Sequence, residues 1–172
     1  MALTQQFARV TPEYLDRCRA TALDSPGASP DWDPPEGDRL DTDWALWGLL
    51  HHSRSTAADP ELIALLDRAV SGDPDGDVGF LDHAEVYDGF GDPPRLLAPA
   101  AVADIAAALT RVQLDELLSS LPASTADAAV ACGFAAGFDG DVREYLAEHF
   151  VALREFYRTA ARRTQCVVTW VD

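Results

Sequence analysis

The C-terminal part of the chain places a long amphipathic helix directly before a strand that is apolar on both faces. The helix predicted over 141–163 has one apolar stripe at helical spacing, formed by Leu146, Phe150, Leu153, Tyr157 and Ala160. In the strand predicted over 165–171, Cys166, Val168 and Trp170 point one way, and Val167, Thr169 and Val171 point the other. Because both sets are partly apolar, we expect this strand to be central in a sheet that is covered on both faces.

The rest of the chain predicts mostly helices, with a second strand at its beginning. Residues 4–10 predict a strand, and Thr11-Pro12-Glu13 is typical of a helix start, here of a helix to about Leu23. Further helices are predicted from Asp41 or Asp43 to His51, over 60–71, from Pro99, and over 114–121, with a short strand at 95–97. This order predicts an α+β fold: one compact, mostly helical domain over 1–172, with its N-terminal and C-terminal strands in one small sheet.

Two segments lack a periodic pattern. Residues 24–38 hold four Pro, two Gly and five acids, so we expect a mobile surface loop there. Residues 73–94 are rich in Gly and Asp and predict a loop with one short extended piece around 84–87.

The charge of the chain limits the partners that it can have. Thirteen Lys and Arg, all of them Arg, stand against 29 acids and give a formal net charge of −16. A nucleic-acid binder needs a basic stripe, and an anionic membrane surface attracts polybasic segments, so we expect neither partner. A charge of this size attracts basic proteins over a long range. The other interpretation is that it only keeps the protein soluble in a crowded, high-salt cytosol.

Cysteine use and the N-terminus indicate a cytoplasmic location. Cys18, Cys132 and Cys166 are odd in number and widely spaced, which favours reduced thiols over a disulfide framework. The first ten residues have no charged segment followed by an apolar one, so no signal peptide is expected.

Blocks spread along nearly the whole chain resemble the YfbM-like family, a bacterial domain family of unknown function. The blocks are Phe7–Glu13, Arg39–Asp43, Leu66–Gly72, Pro94–Pro99 with Val102–Leu109, and His149–Tyr157 with Cys166–Val171. The resemblance implies a small single α+β domain whose end strands lie in one sheet. It implies no activity, because the family has no established one.

The most conspicuous group of polar and aromatic residues lies around the second predicted helix. Asp41 and Asp43 stand at its start, and Trp44, Trp47 and His51 would share one face at helical spacing. One interpretation is a binding pocket with aromatic walls and polar tips. The other is that the carboxylates cap the helix and the aromatic residues are core.

Other motifs predict no metal, cofactor or nucleophile. Asp73–Asp77 has the acidic start of a calcium loop, but Gly79 and Glu85 each fall one place late, which favours a solvated turn. The four histidines include no pair at metal-binding helical spacing. Cys132 lies in an Ala-rich setting that would raise its pKa, so we expect an inert thiol.

These observations lead to a primary hypothesis and two alternatives. The first is a non-catalytic protein-binding module for a basic partner, for example an immunity-type inhibitor, in which Trp32 of the acidic loop is the exposed anchor. The second is an enzyme or small-ligand protein with a pocket at the Asp41–His51 helix. A third is a self-associating structural subunit.

Overall fold

Both ends of the chain meet in one sheet. The structure, a computed structural model, describes residues 4–134 and 138–172. Its strands are β1 (Gln5–Val10), β2 (Arg39–Asp41), β3 (Arg95–Leu97) and β4 (Cys166–Val171), in the order β2-β1-β4-β3 with every neighbour antiparallel. The expected α+β fold, with the terminal strands paired and β4 in the interior of the sheet, is confirmed.

The described residues form seven α-helices. They are α1 (Pro12–Asp24), α2 (Ala45–Ser55), α3 (Pro60–Ser71), α4 (Pro99–Arg111), α5 (Leu114–Ser119), α6 (Thr125–Ala131) and α7 (Val142–Arg162). None of these helices combines the length and the apolar character that crossing a membrane would require.

The sheet separates two hydrophobic cores of unequal size. Phe7 of β1 and Val167 of β4 belong to the larger core, which they share with α2 to α7. Ala8 and Val168, one position further along each strand, belong to a smaller core, which they share with α1, Trp32 and part of 78–87. Side chains of successive strand residues point to opposite faces, so the two-faced apolar pattern of β4 is explained by these two layers.

Helix starts follow the capping signals of the sequence. The side chains of Thr11, Asp59 and Asp141 accept hydrogen bonds from backbone N–H groups in the first turns of α1, α3 and α7. Each of these bonds satisfies a donor that has no partner inside the helix. The predicted bounds of these helices are therefore close to the observed ones.

Three local predictions are wrong or incomplete. β2 was not predicted, because Arg39–Asp41 is too short to show a period and is a strand through its pairing with β1. The Ala-rich segment contains α6, which begins after Ser124 as its cap. Residues 84–86, expected to be extended, form a turn in which the Val86 N–H donates to the carbonyl of His83 at 2.9 Å.

The sequence-predicted loop over 24–38 is fixed to the body of the protein. Its end is held by Asp38, whose Oδ1 accepts from Arg9 Nε at 2.8 Å and from Arg163 Nη1 at 3.3 Å. These bonds join the loop to β1 and to the end of α7. The expectation of a mobile loop is therefore wrong for its C-terminal end. The middle of the loop is fixed by Trp32, which packs in the smaller core.

Gly72 makes the turn from α3 towards the sheet. Its φ of 71° and ψ of −179° lie in a region that residues with a Cβ rarely adopt. A Cβ at this position would also lie 3.0 Å from the side chains of Arg95 and Thr169. The turn leads to Asp73, which forms a β-bridge with Leu96.

We expect Gly72→Ala to lower the free energy of unfolding by about 1–3 kcal/mol, because it adds backbone strain and a close contact together. Gly37→Ala is the matched control, since its Cβ would meet no atom within 4 Å. Its effect should stay within about 0.5 kcal/mol. Urea denaturation of the two variants measures both values, and equal effects would contradict the assigned role of Gly72.

Candidate functional site

Asp41 and Asp43 do not cap α2. The helix begins at Ala45 after Trp44, and the side chain of Trp44 makes no capping hydrogen bond. Instead, Asp41 Oδ1 accepts from the Asp43 N–H at 2.7 Å, and Asp43 adopts a left-handed φ of 49°. The predicted capping role is wrong because this tight turn between β2 and α2 uses the carboxylate of Asp41 within the turn itself.

Tyr145 of α7 holds Asp43 and was missed by the sequence analysis. Its Oη donates to Asp43 Oδ2 at 2.9 Å and accepts from the Trp44 N–H at 3.2 Å. Burial, and then the bond to Asp43, raise the pKa of Tyr145 above its ordinary value. The two residues lie 102 positions apart, so no local pattern could have brought them together.

The cleft that Trp47 lines includes neither Trp44 nor His51 among its walls. Trp44 is 37% exposed and stacks on Trp47, with ring centroids 5.8 Å apart. His51 is exposed and faces Gly133, where a Cβ would lie 3.4 Å from its ring. Trp47 lines a cleft of about 130 Å³ whose other walls include Gln5 and Arg95, but neither Asp43 nor His51.

The polar floor of this small cleft is already hydrogen-bonded. Gln5 is 2% exposed, and its Oε1 accepts from Trp47 Nε1 at 2.9 Å. Its amide nitrogen donates to Thr169 Oγ1 at 2.6 Å, and that hydroxyl donates to the carbonyl of Val70 at 2.7 Å. The network joins β1, β4, α2 and α3, so it holds these four elements together.

Trp32 is not the exposed anchor that the sequence analysis expected. It is 7% exposed and packs edge-on against Tyr14 and Trp170, with centroid distances of 5.6 and 6.3 Å. The next residue, Asp33, donates its N–H to Tyr14 Oη at 2.8 Å. The expectation is wrong because an indole of this size becomes part of the smaller core instead of remaining in solvent.

A cleft of about 450 Å³ lies beside Trp32, between the 24–38 loop and the 84–88 segment. Trp32 and Trp170 form part of its wall, and the carboxylates of Glu85, Asp88 and Asp172 lie around it. Arg39 also lines the cleft and pairs with Asp33 at 3.2 Å. Within the described residues, none of these three carboxylates is within salt-bridge distance of an arginine. We call this cleft, with the surface of residues 11–38 and 73–88 around it, the acidic face.

The acidic face carries most of the net charge. Residues 11–38 and 73–88 are about a quarter of the chain, yet they contain thirteen of the 29 acids and two of the thirteen arginines. Their formal charge is therefore −11, against −5 for the remaining three quarters. These segments cover the smaller core, so the charge is concentrated on one side of the sheet.

The cysteines are free and buried. Burial raises the pKa of Cys132 and of Cys166 to about 11, and also raises the pKa of Cys18. A thiol of this kind is a poor nucleophile at neutral pH. In residues 4–134 and 138–172, no three His, Cys, Asp or Glu side chains converge in a way that could hold a metal ion.

The fold and the acidic face together define an acidic α+β protein with a four-stranded antiparallel sheet. Residues 1–170 match the family model described as a domain of unknown function, DUF1877, and the chain belongs to that family. The resemblance to YfbM-like proteins seen in the sequence is thereby confirmed.

A solved structure shows the same fold. The crystal structure of YfbM from Escherichia coli, a protein of unknown function, is similar with a TM-score of 0.54 and 18% sequence identity. The similarity covers 98% of this chain and 99% of that one. A comparison with curated proteins found no match.

We expect Trp32→Ala to lower the free energy of unfolding by about 3–5 kcal/mol, since it removes a buried aromatic side chain that joins the loop to the sheet. The control is Trp44→Ala, which truncates a 37% exposed tryptophan and should cost less than about 1.5 kcal/mol. Urea denaturation measures both. A cost at position 32 no larger than at position 44 would contradict the packing described here.

We expect His52 to make the stability of the protein depend on pH. It is 1% exposed, its Nε2 lies 2.8 Å from Ser120 Oγ, and its Nδ1 has no partner in the described structure. Burial lowers the pKa of His52 below its ordinary value of 6.5. As the pH falls below that value, the unfolded chain takes up a proton that the folded chain resists, so the folded state loses stability.

We therefore expect His52→Gln to reduce the loss of unfolding free energy between about pH 7.5 and about pH 5.5. Urea denaturation at the two pH values gives this difference for each protein. His51→Gln, at the exposed neighbouring position, is the control and should leave the loss close to that of the parent protein. An unchanged loss in the His52 variant would show that another group causes it.

Proposed function

We propose that this protein is a non-catalytic binding module that holds a basic protein at its acidic face. The observation that carries the proposal is the concentration of −11 of the net charge in about a quarter of the chain, on one side of the sheet. A one-sided field of this kind speeds the encounter with a cationic protein and orients it before contact.

The cleft of the acidic face suits the side chains that such a partner would present. Glu85, Asp88 and Asp172 offer carboxylates, and Trp32 and Trp170 offer apolar wall. Arg and Lys side chains combine a charged tip with an apolar stem. In the cleft, the tip would pair with a carboxylate and the stem would contact the apolar wall. Inhibition of a cationic toxin by an immunity-type protein is one form that this binding can take.

The proposed location is the cytoplasm. The support is the chemistry of the three cysteines, which are buried as free thiols instead of being paired in disulfides. Reduced, widely spaced cysteines are typical of that compartment.

The geometry favours binding over the alternative of an enzyme or small-ligand pocket at α2. Asp43 bonds to Tyr145, and His51 faces Gly133, so neither reaches the cleft that Trp47 lines. That cleft has about 130 Å³, and ligand pockets are usually about 300–1,000 Å³.

The first test is capture of a partner from extract of the source cells by the tagged full chain, with identification by mass spectrometry. We expect a basic protein in stoichiometric amount at low salt, released at high salt because ionic screening weakens charge pairs. A second capture uses Asp31→Asn, Glu85→Gln and Asp88→Asn together, which removes three exposed carboxylates of the acidic face.

The matched control for this variant is Asp127→Asn, Glu144→Gln and Glu148→Gln, which removes the same charge from exposed positions elsewhere. The acidic-face variant should lose the partner and the control should keep it. Equal loss in both variants would show that net charge alone is responsible, and would overturn the assignment of the face. Absence of any basic protein at low salt would overturn the proposed function under those conditions.

A further inference from the structure

A second surface lies on the opposite side of the sheet, in the groove between α3 and α4. Two adjoining cavities of about 410 and about 270 Å³ share Glu61, Leu65 and Ala108. The first extends past Asp59 at the start of α3, and the second extends past Arg68 towards its end. The groove therefore follows α3 for nearly its whole length, which is roughly 14 Å at 1.5 Å per residue.

The floor of this α3–α4 groove is apolar and partly open to solvent. Leu62 and Leu65 of α3 are half-buried, as are Ala108 of α4 and Val112 just after it. Leu117 of α5 closes one end of the floor and is 9% exposed. The other apolar side chains of α3, such as Leu66 and Val70, are directed into the larger core.

The rim of the groove is negatively charged. Its carboxylates belong to Asp59, Glu61, Asp104 and Glu116. Two arginines also line it, but the guanidinium of Arg68 is held by both oxygens of Asp73, at 2.7 and 2.8 Å. Arg111 then stands alone against four rim carboxylates, so the rim favours a cationic occupant.

We propose that the α3–α4 groove binds an amphipathic helix of a protein partner, with an apolar face flanked by Lys or Arg. A helix satisfies its own backbone hydrogen bonds, so it can lie in an apolar groove without leaving donors or acceptors unpaired. A groove of roughly 14 Å accommodates about two and a half helical turns. The partner's apolar residues would cover Leu62 and Leu65, and its cations would meet Glu61 and Glu116.

The charge of the rim disfavours two other occupants. A second copy of this chain would bring another −16 and, in a symmetric dimer, would place like-charged rims against each other. An anionic membrane surface would be repelled by the same carboxylates. A cationic helix is the occupant whose charge and shape both match.

The groove and the acidic face belong to different layers and are joined at one edge by the Arg68–Asp73 ion pair. α3 and α4 pack on the larger core, whereas the acidic face covers the smaller one. Failure of either proposal leaves the other standing, because the substitutions that test them lie on opposite sides of the sheet.

The first experiment titrates the 172-residue chain into a fluorescein-labelled peptide of about 16 residues, with Leu on one helical face and Lys on the flanks. A peptide with Glu in place of every Lys is the probe for charge. Fluorescence anisotropy should show saturable binding of the Lys peptide, and none of the Glu peptide up to about 1 mM. Failure of the Lys peptide to bind in this range overturns the proposal, as does equal binding of both peptides.

The second experiment fills the groove without changing the charge. Ala108→Trp places an indole in the stretch that both cavities share. Ala103→Trp introduces the same residue at an exposed position of α4 that does not line the groove. We expect the Kd of the Lys peptide to rise by at least about tenfold for Ala108→Trp and by less than about twofold for Ala103→Trp. Equal effects place the peptide elsewhere, for example on the acidic face, and overturn the proposal.

A third comparison does not use the Trp variants, so it still tests the proposal if Ala108→Trp does not fold. Glu61→Gln with Glu116→Gln removes two rim charges, and Glu144→Gln with Glu148→Gln removes two exposed charges of α7. The two rim substitutions should raise the Kd of the Lys peptide by at least about threefold more than the two substitutions on α7. Equal weakening would contradict a role for the rim. A concentration-dependent dimer that Ala108→Trp abolishes would identify a second copy as the occupant and overturn the inference.

Discussion

The antiparallel pairing of β1 with β4 is the constraint on which the other elements depend. It joins the first and last strands over six residue pairs, from Gln5 opposite Val171 to Val10 opposite Cys166. Because β3 pairs on the far side of β4, that strand is interior. Its side chains are apolar on both faces, so both faces must be covered. The helices α2 to α7 cover one face, and α1 with the loops covers the other, so the two layers follow from this pairing.

Much of this architecture could be predicted from local sequence. The starts of α1, α3 and α7 have a capping residue before an apolar period, and their bounds came out close to the observed ones because those signals act within one turn. β2 could not be found in this way, since three residues show no period and its pairing with β1 defines it. α6 was missed because its Ala-rich sequence has too few large side chains to mark a stripe.

The candidate sites were less predictable than the fold, for a physical reason. The acidic character of the 24–38 loop could be read directly, but the burial of Trp32 is decided by Tyr14 and Trp170, which are distant in sequence. Asp43 looked like a helix cap because its neighbours along the chain allow one, and its bond to Tyr145 appears only after α7 is packed. Residue types thus identified the chemistry available, whereas tertiary packing decided which side chains meet.

The separation of charge between the two layers follows from how each layer is built. Two arginines of the helical layer bond carboxylates of that layer, Arg54 with Asp67 and Arg158 with Glu155. Two others, Arg68 and Arg163, bond Asp73 and Asp38 of the loop layer. Tight turns of the loop layer are favoured by Gly, which allows a positive φ, by Pro, which fixes φ, and by Asp, which bonds nearby backbone groups. Residues 11–38 and 73–88 contain two arginines. The carboxylates of the loop layer therefore remain largely uncompensated.

One surface of the protein then acts through a long-range field that salt weakens, and the other offers an apolar groove whose attraction is short-ranged and much less sensitive to salt. The net charge would attract a basic partner to either surface. At high salt that attraction weakens, and the part of the binding free energy that remains would come from apolar contact in the groove.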